Sequence, residues 1–503
     1  MRLFNRNFKI SDEKQKLLWV YGASGLFILF CVALILKQHF WLPIAVPLAL
    51  GMALMYIFAL DKVLLFIVFL TPFAVNIQDF NLNVGVSLPT EPMLMAVLAL
   101  GLMRLLFNYN FDRKVMRHPV TVAIILYLLW MLLTSITSEM PIVSFKFLLA
   151  KLWFIIPFYF MGTQLFRDFK NIRRFNWLYI IPLIVVIGYT TFNHARNGFT
   201  EQSGHWVMTP FYNDHTAYGA ILAFFLPVLA GFSFSKEFSS TSRWLSMLAF
   251  GVVTLALFLS YSRAAWVSVT ASLMVFLVVR FKIKFRYLFI TFATLVALFF
   301  TFRWQIIDAL EDNKQDSSQD FIEHIQSIAN ISSDASNLER INRWQSAIRL
   351  FNEKPFLGWG PGTYQFVYAP FQRSKEKTII STNAGDLGAA HSEYLGPLAE
   401  SGVLGMLTFL GIVIAVLYTG IQLYGRSRDP KIKVTALCVI LGLVTFFVHG
   451  LLNNFSETDK ASVPLWGYIA MVVALDLYHT HKGETSDSKI NKEAEESEKS
   501  ISE

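Results

Sequence analysis

Residues 403–452 read VLGMLTFLGIVIAVLYTGIQLYGRSRDPKIKVTALCVILGLVTFFVHGLL, two apolar runs (403–424 and 432–452) joined by a short turn that carries Arg426, Arg428, Lys431 and Lys433. Each run has about the 20 residues a helix needs to cross the hydrocarbon of a bilayer. A helix is the favoured solution there because it satisfies its backbone hydrogen bonds within the segment. The basic turn adds a direction, since loops left in the cytoplasm collect Lys and Arg.

The same pattern continues outward in both directions. Further apolar runs lie near 17–36, 41–60, 63–77, 90–107, 119–137, 144–165, 175–192, 216–234, 243–260, 264–281, 285–302 and 462–478. With the first two these make fourteen candidate spans, of which 63–77 is the weakest because it is short and contains Pro72. Composition agrees: of 503 residues 54% are hydrophobic and 16% charged, against about 25% charged in soluble domains. The chain is expected to be an all-α polytopic membrane protein with about 12–14 transmembrane helices.

The net charge of +8 is a topology signal rather than a nucleic-acid footprint, because the basic residues fall in alternate connections. Arg104, Arg113, Lys114 and Arg117 occupy one, and Arg167, Lys170, Arg173 and Arg174 the next. Lys236 and Arg243, then Arg280, Lys282, Lys284 and Arg286, continue the series. Loops 78–89 and 138–143 carry no Lys or Arg, and 193–215 only Arg196. Both termini are therefore expected in the cytoplasm and the segment 303–390 outside. Cys31 and Cys438 both lie inside apolar runs, which supports neither a disulfide framework nor a cysteine metal site.

Four regions follow: transmembrane helices over 1–302 (about eleven spans), an outer cap over 303–390, transmembrane helices over 391–478, and a polar tail over 479–503 expected to be disordered. The cap is too long for a bare connector. Within it Leu338, Ile341, Trp344, Ile348 and Phe351 recur at helical spacing, which predicts an apolar face with Glu339, Arg340 and Arg343 on the other faces.

The polar residues that could do chemistry gather on the outer side. Ser260-Tyr-Ser-Arg263-Ala-Ala-Trp266 is a hairpin between two spans; its arginine either snorkels to headgroups or offers a fork suited to a pyrophosphate. Lys151 lies about 10 Å inside its span, at about 1.5 Å per residue, and an intramembrane charge usually faces a polar cavity. His391-Ser-Glu393-Tyr394 puts a histidine, a carboxylate and a tyrosine where a helix re-enters the membrane. Asn213-Asp214-His215 stands before another span, where Asn213 or Asp214 suits a helix cap. Gly358-Trp-Gly360-Pro-Gly362 is a turn, since it lacks the strand-to-helix setting of a phosphate loop. No metal-ligand spacing and no cofactor motif appears, and no internal repeat of the kind transporters carry.

In order and spacing these segments resemble the O-antigen ligase and O-antigen polymerase superfamily of bacterial envelope glycosyltransferases. Ser262-Arg263-Ala264, Arg340-x-x-x-Trp344, Pro355-Phe-Leu-Gly358-Trp-Gly360-x-Gly362, His391-x-x-Tyr394-Leu395 and Glu400-x-Gly402 carry the likeness, over roughly residues 200–425. Ser392 departs from the asparagine usual after the histidine. The resemblance implies a GT-C-like fold with a large helical periplasmic loop in the bacterial inner membrane. It implies metal-independent, inverting transfer of a glycan from undecaprenyl-pyrophosphate to an acceptor hydroxyl such as that of lipid A-core, without a cofactor. A polysaccharide polymerase or a protein O-oligosaccharyltransferase of the superfamily is the alternative, and a lipid-linked glycan transporter a more distant one. His391 is then the catalytic residue, with Glu393 or Asp214 as other candidate bases. Arg263, Arg340 and Lys151 would meet the pyrophosphate, with His215 and Tyr394 in support.

Overall fold

In the computed structural model, the structure describes residues 21–22, 24–33, 36, 51–52, 54–56, 58–76, 86–107, 112–283, 294, 301, 335–374, 377, 381 and 388–480. The chain divides into a first unit, Met1–Val63, and a second, Leu64–Glu503. The first contributes the apolar helix Ser24–Ala33. The expected spans 41–60 and 285–302 fall largely outside the described residues, and 17–36 is described chiefly as that helix.

Of the expected span 63–77 only the helix α1 (Leu60–Leu70) forms; a 3-10 turn, Thr71–Phe73, follows at Pro72. Val75–Asn76 then pairs antiparallel with Ser87–Leu88, and α2 (Thr90–Phe107) begins. Nine helices among the described residues are long and apolar enough to cross a membrane. They are α3 (Pro119–Ile136), α4 (Pro141–Leu165), α5 (Phe169–Arg196), α6 (His215–Phe234), α7 (Ser240–Leu259) and α8 (Arg263–Arg280). After the cap helix α9 (Ala335–Glu353) come α10 (Leu395–Arg426), α11 (Pro430–His449) and α12 (Asp459–Tyr478). The protein is an all-α polytopic membrane protein.

Local chemistry sets the helix starts. Asp168, Asp429 and Ser239 cap α5, α11 and α7 through hydrogen bonds to free backbone N–H groups, the groups a helix leaves unpaired at its N-terminus. Pro119 and Pro430 open α3 and α11, where a missing N–H is harmless. Helices α6, α11 and α12 form the most buried part of the bundle. Leu126, Leu129 and Leu133 on α3 and Leu248 and Leu255 on α7 face outward, as they can where the solvent is lipid.

Helices α6 and α11 run antiparallel at close range. A Cβ on Gly231 would strike Cys438 Sγ, and one on Gly442 would stand 2.8 Å from Phe224 O. Small residues allow such approaches in membrane helices, where packing and not hydrophobicity drives association. Ser272 on α8 donates to Leu441 O (3.0 Å), and a Cβ on Gly219 would stand 2.6 Å from Ser262 Cβ. These contacts bring the N-termini of α6 and α8 and the C-terminus of α11 to one end of the bundle. At the other end Arg167 pairs with Asp112 (2.6 Å), and Asp476 meets Arg426 (2.6 Å) and His118 (3.4 Å).

Two sequence expectations change. The buried face of α9 is not the apolar stripe: Glu339, Asn342, Arg343, Ser346, Ala347 and Leu350 are buried, whereas Ile348 is exposed. Paired polar groups displace the apolar ones there, because Arg343 Nε bonds Glu339 (2.7 Å) and lies over the Tyr368 ring, while Asn342 bonds Gln372 (2.8 Å). The tail boundary also moves, since His479 is buried with Nε2 2.9 Å from Phe166 O. Residues 481–503 lie outside the described residues.

Candidate functional site

The turn between the cap and α10 is the centre of the site. His391 adopts φ +49, a left-handed conformation that most side chains resist, and Trp344 Nε1 on the cap helix donates to its carbonyl (3.3 Å). Two residues on, Glu393 N donates to Gly450 O (2.8 Å), just past the end of α11. The Glu393 carboxylate accepts from Phe455 N (2.7 Å), Ser456 N (2.7 Å) and Ser456 Oγ (2.6 Å). Glu393 thus clamps the α11–α12 loop, and Tyr394 adds a bond from its hydroxyl to Phe447 O (3.0 Å).

On the His391 side stand the other charged groups of this end. Asp214 caps α6, accepting from Thr216 N (2.7 Å) and Ala217 N (2.8 Å), as expected of a residue before the helix. Arg263 is the first residue of α8, after a hairpin that turns through Tyr261 at φ +50. Asp214 and Arg340 act electrostatically on both His391 and His215, and Arg263 also acts on His215. His215 stacks on His205 with ring centres 4.3 Å apart. Burial, followed by the fields of Arg343 and Arg340, pushes the His391 imidazole down to about 4. The ring is therefore neutral near pH 7 and able to accept a proton.

On the Glu393 side lies a cavity of about 230 Å³, lined among others by Lys151, Glu393, Glu400, Glu457, Trp130 and Tyr364. Lys151 does face a polar cavity: it is 4% exposed, and Nζ donates to Ser456 O (3.0 Å) and Ser456 Oγ (2.8 Å). Three carboxyl groups share that space with one ammonium. The glycine turn forms the roof. Gly360 N donates to Glu400 O (2.7 Å) and Tyr364 N to Glu400 Oε1 (3.0 Å), and Gly360 sits at φ +116 against Ser138, where no Cβ would fit.

The structure thus gathers Asp214, His215, Arg263, Arg340 and His391 on one side of a short turn, and Lys151 and Glu393 on the other. Sequence reading missed His449, which ends α11 beside Gly450 and shares Arg340 and Asp214 as its charged neighbours. It also missed Glu457, whose signal was only a carboxyl within the loop between the last two spans. Among the described residues no group of three or more His, Cys, Asp or Glu could hold a metal ion.

No curated protein matches the chain. Residues 245–410, which include Arg263, Arg340, His391, Glu393 and Glu400, match the family model described as O-antigen ligase, and this match supports a relationship to the O-antigen ligase and polymerase superfamily.

Proposed function

We propose that the protein is an O-antigen ligase-type glycosyltransferase that moves a glycan from undecaprenyl-pyrophosphate to an acceptor hydroxyl. The observation that carries this reading is the His391–Glu393 turn, one wall shared by a basic, histidine-bearing side and an acidic, aromatic cavity. The donor pyrophosphate suits the first, where Arg263 and Arg340 offer guanidinium forks. The acceptor sugar suits the second: carboxylates accept from hydroxyls, and Trp130 and Tyr364 supply apolar faces. Three carboxyl groups there disfavour a phosphate, so Lys151 is better read as their counter-charge than as a pyrophosphate ligand.

In the reaction the acceptor oxygen attacks the anomeric carbon, its proton passes to the neutral His391 ring, and the bond from the anomeric carbon to the phosphate oxygen breaks. Undecaprenyl pyrophosphate leaves with the bonding pair, and Arg263 and Arg340 stabilise the charge that develops. A single displacement inverts the anomeric centre. The basic residues at the opposite end of the bundle, among them Arg113, Lys114, Lys431 and Lys433, support a cytoplasmic orientation for that end and a periplasmic one for the site.

The test is transfer by the purified full-length protein from a polyprenyl-pyrophosphate glycan. Wild type should form the new glycosidic bond with inversion and His391→Asn should not. Deleting the gene then separates the two superfamily activities: carrier-linked polymer accumulates if a ligase is lost, whereas lipid A-core bearing one repeat unit accumulates if a polymerase is lost.

A further inference from the structure

His449 is 2% exposed, and neither of its ring nitrogens is hydrogen-bonded to another of the described residues. Two other buried residues at this end of the bundle have an unpartnered side-chain atom. Asn453, one turn on and bonded through its N–H to His449 O (3.1 Å), leaves Nδ2 unpartnered, and Ser262, at the start of α8, leaves Oγ unpartnered. Helix register puts His449 and Ser262 within about one turn of each other in height, with Asn453 one turn further out. From the Phe224–Gly442 and Ser272–Leu441 contacts, a rise of about 1.5 Å per residue brings His449 level with Ala217 on α6 and Ala264 on α8. That is just inside Asp214 and Arg263, so the unpartnered atoms lie within about one turn of the level of the site's charged groups.

Buried polar groups are almost always satisfied, and leaving several unpaired at one place is costly. We propose that His449, Ser262 and Asn453 form a binding niche for an uncharged, hydroxyl- or amide-bearing part of the substrate, the sugar directly joined to the leaving pyrophosphate. The chemistry of the niche selects that class. A neutral imidazole offers one donor and one acceptor, asparagine a donor and serine either, which together match hydroxyl or acetamido groups. None of the three carries charge to receive a phosphate, which stays with Arg263 and Arg340 above. The ring of His449 lies against Phe455 (centres 5.5 Å), whose N–H is held by Glu393, so the same clamp that fixes the His391 turn fixes this niche.

The inference rests on the transferase reading, and one binding experiment separates the two. Full-length protein in lipid nanodiscs is titrated with polyprenyl pyrophosphate and with the same carrier bearing N-acetylglucosamine. Wild type should bind the sugar-bearing carrier about tenfold more tightly, the worth of one or two good hydrogen bonds. His449→Phe, which keeps an aromatic ring against Phe455, should erase that difference, leave sugarless carrier binding unchanged, and melt no lower than wild type because an unpaired polar group is gone. Ser262→Ala should reduce the difference, and it decides the matter should the Phe variant fold poorly. Wild type binding both carriers equally, or Ser262→Ala and the folded Phe variant retaining the full preference, overturns the niche and leaves the transferase reading standing. Wild type binding neither carrier overturns the transferase reading and the niche with it.

Discussion

His391→Asn isolates the chemistry of the imidazole from its backbone role. At φ +49 asparagine is among the few residues that tolerate the left-handed region, whereas alanine would add about 1–2 kcal/mol of strain. The Asn variant should therefore fold normally while transfer falls by roughly 10²–10⁴, the usual contribution of a positioned base. The pH dependence is the sharper readout. Burial and the two arginines lower the ring from 6.5 to about 4, a difference worth about 3 kcal/mol at about 1.36 kcal/mol per unit and on the order of 2 kcal/mol after solvent screening. Because the unfolded chain binds the proton at a higher pH than the native one, the wild type loses stability relative to His391→Asn as pH falls from about 6.5 towards 4, with no change above pH 7. For the same reason the acid limb of kcat/KM should lie near pH 4. Turnover and melting temperature measured from pH 4 to 8 check both. An acid limb centred near 6.5, or parallel stability profiles for the two proteins, would refute the account of a buried, neutral base.

Arg263→Lys should lower transfer strongly while preserving charge, since an ammonium cannot make the bidentate contact of a guanidinium; unchanged turnover would reduce Arg263 to a snorkelling residue. Cysteines introduced for Ser374 and for Thr241, at opposite ends of the bundle, should differ in reaction with an impermeant thiol reagent in intact spheroplasts, the first labelled and the second protected. The reverse pattern would invert the topology. Activity should persist in excess chelator, because arginines can meet the leaving charge; turnover restored only by added magnesium would contradict this. Gly402→Ala should destabilise the protein by about 3 kcal/mol or more, combining a glycine-only backbone at φ +69, ψ −170 with a Cβ only 2.1 Å from Phe356 O; an unchanged melting temperature would speak against the observed packing.

The spans were legible because length and hydropathy alone decide them, and Asp214, Arg263 and His391 because polar groups at the ends of apolar runs stand out. His449 did not, since it lies within LVTFFVHGLL and its exceptional feature, a buried ring with no hydrogen bond to another described residue, exists only once the helices have packed. Glu393 read as a candidate base because its partners lie more than sixty residues onward, at Phe455 and Ser456. The α9 stripe misled because periodicity counts apolar residues, while Arg343 and Glu339 were buried as a pair that no spacing rule weighs against Ile348. The minor role given to the glycine turn was a matter of scale: it is a turn, but one whose backbone roofs a cavity.

The break in α10 has a consequence for how the protein is made. At Gly402 the helix is interrupted, Val403 N donates to Pro355 O (2.9 Å) and Gly360 N to Glu400 O (2.7 Å), so the cap and the helix complete one another through main-chain atoms. Translation delivers residues 355–360 first and Val403 some forty residues later. The segment from Val403 to Arg426 can enter the bilayer as it emerges, but the stretch Leu395–Ser401 has no finished partner until the cap has folded. Because Glu393 takes its partners from Phe455 and Ser456, the His391–Glu393 turn reaches its observed form only once the α11–α12 loop has also been made.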